Sequence, residues 1–146
     1  MERLNCVLLV DDDNSANFIS KNVIDKLDCA DQVLVAHNGR EALHMITERC
    51  VTQPADDCPQ LIFLDVKMPV MDGFEFLREF EGMNLQANSR PIIIMLTTST
   101  NPVDVQLAQQ FKIAEFLNKP LKREKLAQLL DKYFKFDASS SLQAVT

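Results

Sequence analysis

Asp11, Asp12 and Asp13 stand in a row directly after the apolar run Val7 to Val10, and Asp65 directly follows another, Leu61 to Leu64. Carboxylates gathered at such points repel one another and raise one another's pKa, and a divalent cation removes that penalty by supplying opposite charge. Magnesium suits the set, being a hard ion that takes oxygen ligands in octahedral geometry and is commonly shared between carboxylates and a phosphoryl group. Taken alone, three adjacent aspartates read equally well as a solvated loop that caps a helix. Two further residues tip the balance: Thr97 closes the apolar run Ile92 to Leu96, and Lys119, followed by Pro120, comes just after Ile113 to Leu117. A hydroxyl donor and a fixed cation above the same edge as the acids suit phosphoryl transfer, whose transition state spreads negative charge over oxygens that cations and donors must hold.

These residues need a frame that brings strand ends together. Short apolar runs alternate with stretches in which apolar residues recur at three and four, the pattern of a repeated strand and helix. Strands are expected at Leu4 to Val10, Gln32 to Ala36, Leu61 to Leu64, Pro91 to Leu96 and Ile113 to Leu117. At least three are apolar throughout, as strands covered on both faces must be. Five helices are expected with them. The first follows Asn14 or Ser15 and buries Ile19, Val23 and Leu27, while the second opens after Asn38-Gly39 and turns Ala42, Leu43, Ile46 and Cys50 inward. The third begins near Asp72, the fourth has Asn101 at its cap with Pro102 next, and the fifth carries Leu126, Leu129, Leu130, Tyr133 and Phe134 on one face. Parallel strands joined by right-handed crossovers give an α/β, doubly wound open sheet whose sites lie at the carboxyl ends of the strands.

A chain of 146 residues and 16.6 kDa fits one domain, and 47% hydrophobic with 25% charged residues is the balance of a packed globular protein. Fifteen basic against twenty-one acidic residues give a net charge of −6, which repels nucleic acid and anionic lipid on average. Neither direct nucleic-acid binding nor membrane association is expected. No apolar run approaches the roughly 20 residues of a bilayer span, and Val7 to Val10 is too short and too acidic in its flank for a signal peptide, so a cytoplasmic location is expected. Cys6, Cys29, Cys50 and Cys58 show neither CxxC spacing nor clustering with His37 and His44, and are expected to be core or surface thiols rather than zinc ligands or disulfides. Residues 51 to 60 read as a loop. Residues 137 to 146 read as a flexible polar tail after a domain spanning 1 to 136.

Val10-Asp11-Asp12, Asp65-x-x-Met68-Pro69-x-x-Asp72-Gly73, Leu96-Thr97 and Asn118-Lys119-Pro120, in that order, resemble the motifs of the response-regulator receiver domain of two-component signalling, over about Leu4 to Tyr133. The resemblance implies a flavodoxin-like sheet of five parallel strands in the order 2-1-3-4-5, and a switch phosphorylated by a sensor histidine kinase or phosphotransfer protein. It implies that Asp65 is the nucleophile and phosphoryl acceptor. It further implies that Asp12 binds Mg2+ directly, that Asp11 acts mostly through a bound water, and that Asp65 and the backbone carbonyl of Lys67 complete the protein ligands. Thr97 and Lys119 would hold phosphoryl oxygens, and Phe116 matches an aromatic that swings inward when the threonine is drawn to the phosphate. By itself Phe116 reads equally as a buried strand residue, and Asp13 matches no role.

Lys67 and Ser99 match positions that flank the path of attacking water and influence how long the acyl phosphate lasts. Lys112 stands where the family often has glycine, so the turn before the fifth strand either carries a strained lysine or adopts another geometry. With no output module after Phe134, the signal is expected to pass to a downstream protein through phosphorylation-dependent contacts, as in stand-alone receivers of the chemotaxis and phytochrome-associated types. Such a protein is not an enzyme toward other substrates; it catalyses only its own phosphorylation and dephosphorylation.

The rival enzyme reading is a haloacid-dehalogenase-type phosphatase, whose opening motif Asp11-x-Asp13-x-Ser15 nearly imitates. That family needs a later pair of acids for its metal, and the only aspartates after Lys119 are Asp131 and Asp137, far apart. A flavodoxin-like flavin carrier would have three aspartates expelling its phosphate. A calcium loop fails because Ala16 and Asn22 replace the glycine and bidentate glutamate it requires. A degenerate receiver that serves only as a scaffold would lack the acceptor or the lysine, and neither is missing.

Overall fold

Leu4–Val10, Ala30–Ala36, Leu61–Leu64, Ile92–Thr97 and Glu115–Asn118 form strands β1 to β5 of one parallel sheet in the order β2-β1-β3-β4-β5. The computed structural model describes residues 3–51, 57–83, 85 and 90–135, so the expected tail from 137 onward and much of the loop from 51 to 60 lie outside the described residues. Helices α1 (Asn14–Leu27), α2 (Gly39–Ile46), α3 (Gly73–Glu81), α4 (Pro102–Ala108) and α5 (Arg123–Phe134) follow the five strands in turn. After α2 the chain winds on as a π-helical turn, Thr47–Val51. Among the described residues no helix is long and apolar enough to cross a membrane.

The apolar strands make the middle of the sheet, since β1, β3 and β4 are covered on both faces while β2 and β5 lie at the edges and are only partly buried. One face packs Ala42 and Ile46 of α2, Phe76, Leu77 and Phe80 of α3 and Ala108 of α4 against Leu8, Ile62, Leu64 and Met95. The other packs Ile24 and Leu27 of α1 and Leu126, Leu129 and Leu130 of α5 against Val7, Leu9, Phe63 and Ile94. Every helix therefore starts at the carboxyl edge of the sheet, where the acids are.

Local chemistry fixes those starts. Asp13 caps α1 by accepting from the Ser15 amide at 2.9 Å, and Asn38 caps α2 by accepting from the Glu41 amide at 2.9 Å. Asp72 and Glu75 form a reciprocal capping box on α3, with the Glu75 amide donating to Asp72 at 2.9 Å and the Asp72 amide donating to Glu75 at 3.1 Å. Asn101 caps α4 ahead of Pro102, as expected.

Three expectations need correction. The inward face of α1 is Asn17, Ser20, Ile24 and Leu27, whereas Ile19 is 45% exposed and Phe18 71% exposed, because the first half of this face meets the polar site rather than the core. Strand β2 begins at Ala30, and β4 and β5 lie one or two residues later than read, at Ile92–Thr97 and Glu115–Asn118. Cys50 and Cys58 are joined in a disulfide; the π-helical turn at the end of α2 brings Cys50 to within 4.5 Å, Cα to Cα, of Cys58. Of the two geometries open to the turn before β5, the unstrained one is found: among the described residues the non-glycine positions with positive φ are Asp28, Val70 and Lys135, and the Lys112 amide donates to Glu81 at 2.6 Å.

Candidate phosphoryl-transfer site

At the carboxyl ends of β1 and β3, oxygens of Asp11, Asp12 and Asp65 converge to within 4.8 Å of one another. The register explains it: Val10 pairs with Leu64, so the residue that follows each strand lands beside the other. Asp11 is 6% exposed and Asp65 8% exposed, while Asp12 faces solvent. Lys119, just past β5, reaches across the end of β4 to both buried acids, with Nζ 2.5 Å from Asp11 Oδ2 and 3.1 Å from Asp65 Oδ2. Its backbone amide is anchored by donation to the Thr97 carbonyl at 2.9 Å.

The acids are held from behind. Asp65 Oδ1 accepts from the Val66 amide at 2.8 Å, which leaves Oδ2 toward Lys119. Asp11 Oδ1 accepts from the Asp13 amide at 2.9 Å, and the Asp11 carbonyl accepts from the Asn17 side-chain amide at 3.0 Å. Gly73 presses on the same place: a Cβ there would lie 2.2 Å from the Asp65 carbonyl oxygen, so only glycine lets α3 start against the strand end. The turn between β3 and α3 passes through Val70 at φ 73°, a strained value for a β-branched residue, with the Met71 amide donating to the Pro69 carbonyl at 2.9 Å.

Burial pushes the Asp11 carboxyl up, and the Asp65 charge adds to this; donation from Lys119 and from the Asp13 amide opposes it without cancelling it. For Lys119, burial favours the neutral amine, but the two carboxylates outweigh it and raise the ammonium's pKa. Three carboxylates thus face one ammonium and remain under-neutralised, the condition in which a divalent cation fits. Beside them a cavity of about 440 Å³ opens between Asp65, Lys67, Thr97, Ser99 and Asn101. Thr97 is buried at 2% exposed, and its hydroxyl accepts from the Ser99 amide at 3.2 Å. The Ser99 hydroxyl in turn donates to Asp104 of α4 at 2.5 Å.

The arrangement brings together Asp11, Asp12, Asp65 and Lys119, and puts Thr97 and Lys67 on the cavity beside them. It does not bring Phe116 there: that residue is half buried on edge strand β5, paired in register with Met95, and packs against the cluster that holds α2 and α3. Asp13 has the cap of α1 as its structural part. Asn17, which anchors the turn after β1, was not singled out from the sequence; the signal was a polar residue on the inward face of α1, one turn after the cap. The Ser99 to Asp104 link was missed as well.

The response regulator receiver domain model matches residues 7–131. Hybrid signal transduction histidine kinase B of Dictyostelium discoideum is 35% identical over 144 residues, covering 90% of this chain and 7% of that protein. Two-component response regulator ORR41 of Oryza sativa subsp. japonica is 31% identical over 127 residues, covering 87% of this chain and 92% of that protein. Several other curated relatives are about twice the length that this chain spans. The crystal structure of a two component response regulator from Cytophaga hutchinsonii superposes with a TM-score of 0.79 at 23% identity, over 92% of this chain and all of that one, and supports the fold.

Proposed function

This chain belongs to the response regulator receiver domain family, and from that premise we propose that it accepts a phosphoryl group on Asp65 from a histidine kinase or phosphotransfer protein and signals by protein contacts that change with phosphorylation. The observation that carries the reading is the pairing of buried Asp65 with Lys119 at 3.1 Å, inside a cluster of carboxylates and on the wall of an open cavity.

In this reading Asp65 Oδ2, which faces Lys119, attacks phosphorus in line with the donor's P–N bond. The P–O bond forms as the P–N bond breaks, and the electron pair leaves on the histidine imidazole. Lys119 then exchanges its pairing with Asp65 for a phosphoryl oxygen while keeping Asp11. The Thr97 hydroxyl gives up the Ser99 amide and donates to a second oxygen. Asp12, Asp11, Asp65 and the Lys67 carbonyl would hold Mg2+, which when bound neutralises charge that develops on the transferring group. Lys67 and Ser99, on the cavity wall, would govern how readily water reaches the acyl phosphate.

Partner docking is supported by the apolar surface next to the site. Phe18 and Ile19 are exposed on α1, and Ile19 and Ala16 line a groove of about 340 Å³ with Lys119, Pro120 and Leu121. We place this activity in the cytoplasm, on a domain spanning 1–136, with neither nucleic acid nor membrane as a direct ligand. The test is uptake from acetyl phosphate. One phosphoryl group per chain, abolished by a chelator of divalent ions, supports the reading; continuous release of phosphate from a model ester contradicts it.

A further inference from the structure

Outside the acidic site, the cysteines are chemistry-bearing groups that the site does not absorb, and they divide sharply. Cys6 and Cys29 are each 1% exposed, and burial pushes both thiols up to about 11, so neither is a nucleophile near neutral pH. Cys50 and Cys58 are instead bonded to each other across eight positions of sequence. Cys50 is half buried beside Val51, which is 56% exposed, whereas Cys58 is buried at 3% exposed, so a reagent reaches the bridge through the Cys50 sulfur.

The bridge is placed to hold one end of a helix. Cys50 lies in the π-helical turn that prolongs α2, and Cys58 lies three residues before β3. At its other end α2 meets the turn after β3: the Gly39 amide donates to the Met71 carbonyl at 2.9 Å, and a Cβ on Gly39 would lie 2.8 Å from Met71 Cγ. The segment from Gly39 to Val51 is therefore pinned at both ends, by a backbone contact at the carboxyl edge of the sheet and by a covalent bond at the opposite edge.

We propose that Cys50 and Cys58 form a redox modification site, a dithiol that a low-molecular-weight disulfide closes and a thiol reductant reopens, fixing or freeing the end of α2. In the closing direction the Cys50 thiolate attacks one sulfur of the small disulfide, whose S–S bond breaks and releases one thiolate. The Cys58 thiolate then attacks the Cys50 sulfur of the mixed disulfide and expels the second. Two protein thiols are oxidised, the small disulfide is reduced to two thiols, and these take up the two protons that the cysteines lose.

The experiment uses the full chain, treated with dithiothreitol or with oxidised glutathione, freed of reagent, then alkylated without denaturant and mapped by mass. The reduced protein should carry an adduct at Cys50, where the bridge is reached, and the oxidised protein none, with no glutathione retained. Amide exchange over residues 39–51 should be about tenfold faster in the reduced form, and its Tm lower by roughly 5–10 °C. Cys50→Ser should show the reduced form's exchange and stay unchanged by oxidised glutathione. A bridge that dithiothreitol does not open in the folded protein, labelling at Cys6 or Cys29 instead, a persistent glutathione adduct, equal exchange in the two forms, or a response in Cys50→Ser would each overturn the proposal.

Discussion

Lys119 Nζ stands 3.1 Å from Asp65 Oδ2, a contact between side chains 54 positions apart that both lie largely out of solvent. It reads as the resting form of a phosphoryl site, in which the lysine occupies the place of a positive partner before any phosphate arrives. The pair is also a structural debt, because each charge depends on the other.

Lys119→Ala should therefore weaken the fold as well as the chemistry. Asp11 and Asp65 lose their shared cation while buried, at a cost of about 1–3 kcal/mol read from urea unfolding. Phosphorylation by acetyl phosphate should slow at least tenfold. Unchanged stability together with an unchanged rate would remove the lysine from the site.

Asp12→Ala should act in the opposite sense on stability. Asp12 is exposed and belongs to the crowded set, so its removal relieves repulsion and leaves unfolding unchanged or slightly harder. Magnesium binding, followed by calorimetry, should be lost. Undiminished affinity in this variant would exclude Asp12 as a direct ligand.

Away from the site, Glu115 predicts a pH effect with a definite sign. Burial alone would push its carboxyl up, but hydrogen bonds from Tyr133, Lys125 and Lys132 outweigh this and hold it below its ordinary 4.5. A carboxyl lowered in the folded state adds stability above its unfolded pKa and loses it as pH falls through the folded value. Between neutral pH and 4.5 the contribution is nearly constant, and below 4.5 it fades. Unfolding of Glu115→Gln should show a shallower loss of stability with acid than the parent; parallel curves below that point would refute the assignment.

Thr97 is the joint between the site and α4, through its Ser99 contact and the Ser99 hydroxyl on Asp104. If phosphorylation draws the Thr97 hydroxyl inward, the loop to α4 must follow and space beside β5 opens for Phe116, which biases the face made by α4, β5 and α5. Amide exchange over residues 101–130 should change when beryllium fluoride mimics the acyl phosphate. The change should be much reduced in Thr97→Ala, which still accepts some phosphate at Asp65. Equal responses in the two proteins would sink this coupling.

What could be read in the sequence follows from how local each signal is. The starts of α3 and α4 were legible because Asp72 and Asn101 cap their own helices through side-chain bonds two or three residues away. The convergence of Asp11, Asp65, Thr97 and Lys119 at one edge was legible because a parallel sheet puts strand ends side by side, so only the strands had to be found. The inner face of α1 was not, since Asn17 and Ser20 face a polar site and break the apolar period that would have marked it. The Cys50–Cys58 bridge escaped because it depends on the path of the chain after α2, a π-helical turn that no apolar spacing announces. The outward placement of Phe18 and Ile19 likewise follows from what α1 packs against, which its own sequence does not state.

The central claim is that Asp65, among three clustered aspartates, carries the phosphoryl group. Its most direct test is to phosphorylate the full chain with acetyl phosphate and magnesium, reduce the acyl phosphate with borohydride, and map the modified residue by peptide mass spectrometry. The account predicts homoserine at position 65 and nowhere else, with no conversion in Asp65→Asn. Homoserine at 11, 12 or 13, or undiminished phosphorylation of Asp65→Asn, would contradict it.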